Sequence, residues 1–248
     1  MENIRDISMI KIKDQYLVIG CDSSGAIGDK PGDVLKVPGQ VVGRFAARVP
    51  LLEVRSVGAE VVSIINTLSV EMEPGGRKII EGIREEAAAL DIPVDRVING
   101  STEENMETSQ TGVGVTVIGQ VSQQELRLGT SHPGDLVAAI GRPCVGEEVL
   151  QYEEEIVNQS ILTQLLDLDF VHEIIPVGSK GIKYETDLLA AMSGLECEYR
   201  DDIEIDLYKS AGPATVLVVS LSENCYQKIV KAFFLPISII GNLSSRTC

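Results

Sequence analysis

Residues Gly20 to Asp33 read Gly-Cys-Asp-Ser-Ser-Gly-Ala-Ile-Gly-Asp-Lys-Pro-Gly-Asp and follow the apolar run 16–19, Tyr-Leu-Val-Ile. The apolar run predicts a strand, and the segment after it predicts a loop at the end of that strand. The loop lacks the Gly-x-x-x-x-Gly-Lys-Ser/Thr spacing of a P-loop, and the chain has neither a kinase catalytic-loop signature nor a dinucleotide fingerprint. Any nucleotide chemistry must therefore use another architecture.

The residue types in this loop suit a phosphate and a metal ion. Gly25 and Gly28 let backbone N–H groups approach an anion closely, and the ammonium of Lys30 adds a positive charge. Asp22, Asp29 and Asp33 supply carboxylate oxygens of the kind that Mg²⁺ binds, and Asp33, like Gly25 and Gly28, is expected to lie at the bound phosphate. The alternative is an ordinary surface turn, since Gly and Asp are also common turn formers.

Composition narrows the classes of partner. The chain has 248 residues, a formal net charge of −16 and no tryptophan, so it lacks the basic surface and stacking side chains that nucleic-acid binding requires. We expect no nucleic-acid partner. Without a signal-like start or an apolar run of about 20 residues, we expect no membrane association and a cytoplasmic location. The five cysteines form no Cys-x-x-Cys pair and are expected to be reduced thiols.

The order of elements predicts a mixed α/β chain of two domains. Runs rich in β-branched residues predict strands at 16–21, 61–68, 94–98, 113–118, 135–140 and 214–221, and apolar periodicity predicts helices at 76–90, 147–166, 186–192 and 223–234. The polar segment 120–134 separates two halves. We therefore expect an N-terminal domain at 1–130 and a C-terminal domain at 131–248.

Four segments, in order, resemble the aminoimidazole ribonucleotide synthetase superfamily, which includes thiamine-monophosphate kinase, selenophosphate synthetase and the hydrogenase maturation dehydratase. They are 22–30, similar to Asp-Gly-Val-Gly-Thr-Lys; 53–60, similar to Asp-Leu-Leu-x-x-Gly-Ala-Glu; 99–104, similar to Gly-Gly-Glu-Thr; and 132–141, similar to Gly-Asp-x-x-x-x-x-Gly. In the second half, 171–175 and 210–215 match more loosely. The resemblance implies an α/β (α+β) fold whose N-terminal sheet pairs with that of a second copy, forming a barrel in a homodimer.

The chain also departs from the superfamily pattern. Glu53 stands where an aspartate is usual, Ser23 and Ser24 replace a glycine, and 176–181, Pro-Val-Gly-Ser-Lys-Gly, replaces a Gly-Gly pair. Together with Cys-Asp-Ser-Ser-Gly-Ala-Ile-Gly and Asn-Gly-Ser-Thr-Glu-Glu, that segment resembles the α-ribazole kinase branch. This implies transfer of the γ-phosphoryl group of ATP, with Mg²⁺, to the ribose 5′-hydroxyl of a nucleoside. The alternatives are another acceptor, such as thiamine monophosphate, or a nucleotide-binding protein without turnover.

On this hypothesis Asp22 and Glu53 hold the metal and act with Lys30 in catalysis, although Glu53 could equally be a surface helix residue. Arg44 and Arg48, four residues apart on one helix face, would clamp phosphates or pair with acidic neighbours. Further ligand contacts come from two other segments.

The first segment follows the predicted strand at 94–98. There Asn99 and Thr102 would contact ATP and Glu104 the substrate, with a helix cap or a solvated loop as the alternative.

The second segment is Gly178, Ser179 and Lys180, which would contact the substrate or form a plain turn. His132 and His172 are the only histidines, so we expect no multi-histidine zinc site and a structural role for each.

Overall fold

The computed structural model describes residues 2–90 and 92–246 and divides into two compact units. The first unit contains the residues up to Arg55 together with Ala59–Gln124. The second contains Ser56–Gly58 together with the residues from Glu125 on. Each unit is built around its own sheet, so each is described by itself.

The first unit combines a six-stranded sheet with two long helices. Its elements in chain order are β1 (Glu2–Ile4), β2 (Ile7–Ile12), β3 (Gln15–Gly25), β4 (Ile27–Gly28), β5 (Leu35–Lys36), α1 (Gly39–Ser56), β6 (Glu60–Leu68), a helical turn at Met72–Gly76, α2 (Arg77–Ala88), α3 (Val94–Val97), β7 (Ile98–Thr102) and β8 (Gly112–Ser122). The main sheet has the order β1-β2-β3-β8-β6-β7, in which only the β6–β7 pair is parallel. Strands β4 and β5 form a separate parallel pair.

Helix α1 covers one face of this sheet. Val18 of β3 and Val117 of β8 are fully buried on that face, as are Leu51 and Val54 of the helix. Gly20 of β3 lets the helix approach, since a Cβ there would lie 3.1 Å from a methyl carbon of Val54. The side chains of alternate residues point away from this helix and are only half-buried.

Helices α1 and α2 approach each other through glycines. A Cβ on Gly43 would lie 2.8 Å from the carbonyl carbon of Ile79, and one on Gly82 would lie 2.7 Å from that of Gln40. Residues 79, 82, 83, 86 and 87 of α2 are buried, which is the spacing of one helix face. The helix predicted at 76–90 is therefore confirmed, and its backbone packs directly on α1.

The second unit is a five-stranded antiparallel sheet with helices. Its elements are β9 (Leu136–Gly141), α4 (Glu148–Gln151), a 3₁₀ turn at Glu153–Glu155, α5 (Gln159–Leu166), β10 (Val171–Pro176), α6 (Gly181–Met192), β11 (Leu195–Tyr199), β12 (Val216–Leu221), a 3₁₀ turn at Glu223–Cys225, α7 (Tyr226–Ala232) and β13 (Ile237–Ser245). The order is β10-β12-β9-β13-β11. Every residue of β9 and β12 is buried, so both faces of the sheet are covered. Ile182 and Leu189 of α6 pack in the core against one face.

Two predicted elements are wrong. Residues 94–97 form one helical turn, and the strand begins at Ile98 and ends at Thr102. Val94, Val97 and Ile98 gave a β-branched signal, but the strand pairs with β6 only from Ile98 on. The single helix predicted at 147–166 is broken, because Asn158 caps a new helix by accepting a hydrogen bond from the N–H of Ile161 at 3.1 Å.

Among residues 2–90 and 92–246 we find no helix that combines the length and the apolarity needed to cross a bilayer.

Candidate functional site

The glycine-rich segment is more strand than loop in its first half. Strand β3 continues to Gly25, so Asp22 lies within the strand, opposite Val115 of β8, and not at the strand's end as the sequence suggested. The chain then bends at Ala26, whose φ is 59°. Gly25 is exposed, and a Cβ there would have no neighbour within 4 Å. The backbone at Gly25 is therefore accessible to a ligand.

The carboxylate of Asp33 holds the rest of the segment in place through hydrogen bonds. This side chain is 6 % exposed and accepts hydrogen bonds from the Thr111 N–H and hydroxyl, both at 2.7 Å, and from the Lys30 N–H at 2.9 Å. Burial acts to raise the pKa of Asp33, but the hydrogen bonds from Thr111 and Lys30 outweigh it and hold that pKa below its usual value. A Cβ on Gly28 would collide with Thr111 and Asp33. Asp33 and Gly28 thus shape the loop, and their contact with phosphate stays a prediction.

The side chain of Lys30 connects this loop to two other segments of the first unit. Its ammonium donates to a carboxylate oxygen of Glu71 at 2.5 Å and to the carbonyl of Thr108 at 2.9 Å, and its side chain is 13 % exposed. The hydrogen bond from Lys30 lowers the pKa of Glu71. A phosphate bound at Lys30 would therefore compete with Glu71, a residue that the sequence gave no reason to select.

Asp22 is the carboxyl group of this segment whose environment suits a cation. Burial is the main cause that raises the pKa of Asp22, and the negative charge of Asp6 raises it further, whereas a hydrogen bond from the Ser23 backbone acts in the opposite direction. Asp6 lies in the turn between β1 and β2, next to Ile7, which pairs with Gly20. A cation would relieve both the burial cost and the repulsion. The sequence analysis did not select Asp6, because the pairing of β2 with β3 that brings its charge to bear on Asp22 is not visible in the local sequence.

Glu53 lies on the same side of the sheet as Asp22. It is 6 % exposed, so the alternative of a surface helix residue is wrong. Its Cβ is 3.5 Å from the position of a Cβ on Gly20, and Gly20 and Asp22 share one face of β3. The structure thus places Glu53 on the sheet face that carries Asp22. A metal held by both carboxylates stays a prediction.

Of the two predicted phosphate-clamping arginines, Arg48 forms an ion pair. Its guanidinium donates to Glu86 of α2 through Nε and Nη2, both at 2.9 Å, and the two side chains are 6 % and 5 % exposed. This is the acidic neighbour that the sequence left as the alternative. The guanidinium carbons of Arg44 and Arg48 lie 5.0 and 4.6 Å from the ring centre of Phe45.

Asn99 and Thr102 lie within β7, and Glu104 follows it. The Asn99 carbonyl accepts a hydrogen bond from the side chain of Asn66, which is 2 % exposed and was not predicted as a site residue. Glu104 accepts hydrogen bonds from the Thr102 hydroxyl at 2.7 Å and the Met72 N–H at 2.8 Å. The hydrogen bond from Thr102 is the main cause that lowers the pKa of Glu104, and the bond from the Met72 N–H lowers it further. The carboxylate is therefore ionised and held in place at the exposed end of β7.

In the second unit, Gly178, Ser179 and Lys180 precede the 12-residue helix α6. The Gly178 carbonyl accepts a hydrogen bond from the Ala211 N–H at 3.1 Å, and Ser179 and Lys180 are exposed. The Lys180 ammonium lies 4.1 Å from the ring centre of Tyr184. An exposed hydroxyl and an ammonium at a helix N-terminus are suited to an anionic or hydroxylated ligand.

The second unit also brings both histidines together, which the sequence did not predict. Nδ1 of His132 lies 3.2 Å from Nδ1 of His172, and the latter lies 2.8 Å from a carboxylate oxygen of Asp135. The expectations of a structural role for each histidine and of no multi-histidine zinc site stay predictions. The segments that carry them are 40 residues apart and meet because β9 and β10 flank β12.

Comparison with known proteins identifies the fold. No family model matches the chain, and no curated protein matches it in sequence. Among solved structures, thiamine monophosphate kinase from Aquifex aeolicus is similar over 98 % of this chain and 89 % of its own, with a TM-score of 0.66 and 15 % identity. A chain of a HypE–HypF complex is similar over 96 % of this chain and 87 % of its own, with a TM-score of 0.64 and 15 % identity. PurL from Thermotoga maritima in complex with ADP has a TM-score of 0.65 and 16 % identity, and the match covers 97 % of this chain but only 42 % of PurL.

The chain therefore has the aminoimidazole ribonucleotide synthetase-like α+β fold that its sequence predicted. A further similar structure, at a TM-score of 0.61 and 15 % identity, is described as AaThiL complexed with AMPPCP and TMP. At this level of identity the comparisons establish the fold alone.

Proposed function

We propose that the chain is an ATP-dependent kinase that phosphorylates the ribose 5′-hydroxyl of α-ribazole, using Mg²⁺. The observation that carries the proposal is geometric: Asp22 and the buried Glu53 lie on one face of the first sheet, and Asp22 is three residues from the exposed backbone at Gly25. The fold shared with a thiamine monophosphate kinase and with ADP-bound PurL supports a nucleotide at such a site.

The carboxyl groups present fit a magnesium ion. Asp22 and Glu53 share one sheet face, the negative charge of Asp6 acts on Asp22, and Mg²⁺ prefers carboxylate oxygens. When bound, Mg²⁺ would neutralise phosphate charge and align the γ-phosphoryl group. The protein residues then have positioning roles: Asp22 and Glu53 hold the metal, and the Gly25 backbone approaches the phosphates.

The reaction needs little covalent chemistry from the protein. The acceptor oxygen forms a bond to the γ-phosphorus, the bond from that phosphorus to the ADP oxygen breaks, and the hydroxyl proton leaves to solvent or a carboxylate. Alignment and charge neutralisation supply most of the rate in such transfers. Lys30 would aid neutralisation if a phosphate displaced its contact with Glu71.

Exposed polar side chains suited to a hydroxylated acceptor occur separately in each unit, at Glu104 after β7 in the first unit and at Ser179 and Lys180 before α6 in the second. Glu104 is ionised and can accept hydrogen bonds from ribose hydroxyls, and Ser179 and Lys180 can donate them. The choice of α-ribazole rests on the resemblance of three sequence segments to that branch.

We also propose that the chain forms a homodimer through the open face of the first sheet. That face carries neighbouring, half-buried apolar side chains on four strands, namely Ile10, Leu17, Ile19, Ile65 and Ile118. Such a patch is suited to pairing with its copy. Light scattering should give a dimer for the native chain and a monomer for Ile19→Asp. A well-folded native monomer with full specific activity would refute the dimer.

The activity is tested by incubating the protein with ATP, Mg²⁺ and α-ribazole beside other nucleosides and thiamine monophosphate, with products followed by mass spectrometry. We expect α-ribazole 5′-phosphate. Asp22→Asn should lower the rate by about 10²–10³-fold, as loss of a charge-stabilising group does. Asp14→Asn, which alters an exposed acid in the turn before β3, should leave it unchanged.

Three outcomes distinguish the hypotheses. Phosphorylation of another acceptor would retain the kinase and reject α-ribazole. ATP binding without any product would favour a non-catalytic nucleotide-binding protein. Equal loss in both variants would reject the special role of Asp22.

A further inference from the structure

Three potential metal ligands meet at one end of the second sheet. His132 and Asp135 belong to the turn His-Pro-Gly-Asp before β9, and His172 lies near the start of β10. The three side chains are 67 %, 6 % and 18 % exposed, respectively. The cluster is therefore anchored at Asp135 and open to solvent at His132.

The donor atoms have the separations of a metal coordination shell. The Nδ1 atoms are 3.2 Å apart, the His172 nitrogen is 2.8 Å from the Asp135 oxygen, and the His132 nitrogen is 3.9 Å from it. A circle through three points at these separations has a radius of about 2.0 Å, which is the usual length of a Zn–N or Zn–O bond. An ion near the centre would lie at bonding distance from all three donor atoms.

The two short contacts of His172 Nδ1 restrict how hydrogen bonds can be made in this cluster. The nitrogen Nδ1 of a neutral imidazole carries either one hydrogen or one lone pair. If His172 donates from Nδ1 to Asp135, that nitrogen has no lone pair to accept from His132. A cation would accept lone pairs from both nitrogens and from the carboxylate at once.

The surrounding residues orient the ligands as outer-shell groups do. A β-bulge between Val171 and Glu173 lies at His172, and bulges redirect side chains. Nε2 of His172 lies 3.4 Å from the Ser222 hydroxyl, and donation there would leave the Nδ1 lone pair directed at the cluster. The His132 N–H donates to Asp135 at 2.8 Å.

Glu173 fixes the segment that leads to His132. Its buried carboxylate accepts hydrogen bonds from the N–H groups of Gly129 and Thr130, both at 3.0 Å, and from the Ser131 hydroxyl at 2.9 Å. The same residue follows His172 in the chain. One side chain therefore positions both histidine-bearing segments.

We propose that His132, Asp135 and His172 form a binding site for a divalent first-row transition metal of the Zn²⁺ class. Two imidazoles and a carboxylate match the preferences of such ions and leave a fourth, solvent-facing position for water or a ligand oxygen. Mg²⁺ prefers oxygen ligands alone, so this site is chemically distinct from the one proposed around Asp22. It does not depend on the kinase proposal.

The test titrates Co²⁺ into the full-length chain without an affinity tag, in excess Mg²⁺, and follows the visible bands of four-coordinate cobalt. We expect one equivalent to bind and Zn²⁺ to displace it. His132→Ala, at an exposed position that should not affect folding, should weaken binding by at least about 100-fold. Ser222→Ala should weaken it by about 10-fold, as loss of an outer-shell partner does.

Two control variants should bind Co²⁺ as the native chain does. Asp169→Asn alters an exposed carboxylate near His172, and Asp22→Asn alters the site in the first unit. Absence of cobalt bands, or binding that His132→Ala and His172→Ala leave unchanged, would refute the site. Binding abolished only by cysteine substitution would also refute it.

Discussion

The buried ion pair between Arg48 and Glu86 gives the sharpest quantitative prediction. Both side chains are about 95 % buried and meet through two parallel hydrogen bonds of 2.9 Å between α1 and α2. Removing one charge of a buried ion pair costs about 3–5 kcal/mol, because the remaining charge loses the partner that offset its burial. At a urea m-value of about 3 kcal/mol/M, Glu86→Gln should lower the unfolding midpoint of the first unit by roughly 1–1.7 M.

The matched variants separate the charge from the packing. Replacing both partners in Arg48→Met/Glu86→Leu removes the charges together, so stability should return to within about 1 kcal/mol of native or exceed it. Glu73→Gln breaks the exposed pair with Arg77 and should leave the midpoint unchanged. The measurement is urea unfolding followed by circular dichroism and by a probe attached in each unit.

The same variants decide the role of Arg48. If its function is to join the two helices, the double variant should bind ATP with native affinity. A stable double variant with weakened ATP binding would instead support the predicted phosphate clamp. If Glu86→Gln shifted the midpoint no more than Glu73→Gln, the inference from burial would be wrong.

Gly43→Ala should destabilise the chain by about 1–3 kcal/mol, because the added methyl group would overpack against the backbone of α2. Gly75→Ala should have no such effect, because a Cβ there has no neighbour within 4 Å. Thermal unfolding compares the two variants, and equal destabilisation would contradict the close contact at Gly43. The folded-state pKa of Asp33 lies below its usual 3.8, so its ionised form contributes stability that is present above that pH and lost as pH falls through the lower value. Asp33→Asn should therefore lower stability at pH 7 and flatten the dependence below pH 4 in acid titration of unfolding, and an unchanged profile would contradict this sign. Burial raises the pKa of the Cys197 thiol to about 12, so at pH 8 only about one Cys197 side chain in 10⁴ is a thiolate. A maleimide should therefore label the exposed Cys21 much faster than Cys197, and peptide mass spectrometry measures the two rates.

The sequence predicted many of the helices and strands, because apolar periodicity and continuous apolar runs are local patterns. The helix at 77–88 follows from apolar residues on one face, and the buried strand β12 follows from a continuous apolar run. It failed at 94–98, where β-branched residues form a helical turn before the strand begins. Strand pairing with β6 decides that boundary, and pairing is not visible in local composition.

The site was harder to predict because its important contacts are long-range. The sequence selected Asp22 from its position beside glycines. Burial and the charge of Asp6 raise the pKa of Asp22, and its role as a metal ligand stays a prediction. It could not show that Arg48 meets Glu86, 38 residues on, or that His132 meets His172, 40 residues on. These two side-chain contacts depend on helix packing and on the order of strands in the sheet.

Buried carboxylates in both units hold segments that carry candidate ligands. Asp33 accepts the Lys30 N–H and both donors of Thr111, and Glu173 accepts the N–H groups of Gly129 and Thr130. An acid that accepts this many internal hydrogen bonds has few lone pairs left for a ligand. Asp33 and Glu173 therefore act mainly on the shape of their segments. Asp135 combines both roles, because its buried carboxylate accepts the His132 N–H and also lies 2.8 Å from an imidazole nitrogen of His172. A buried acid can thus shape its turn and still face a metal ligand when an imidazole is among its neighbours.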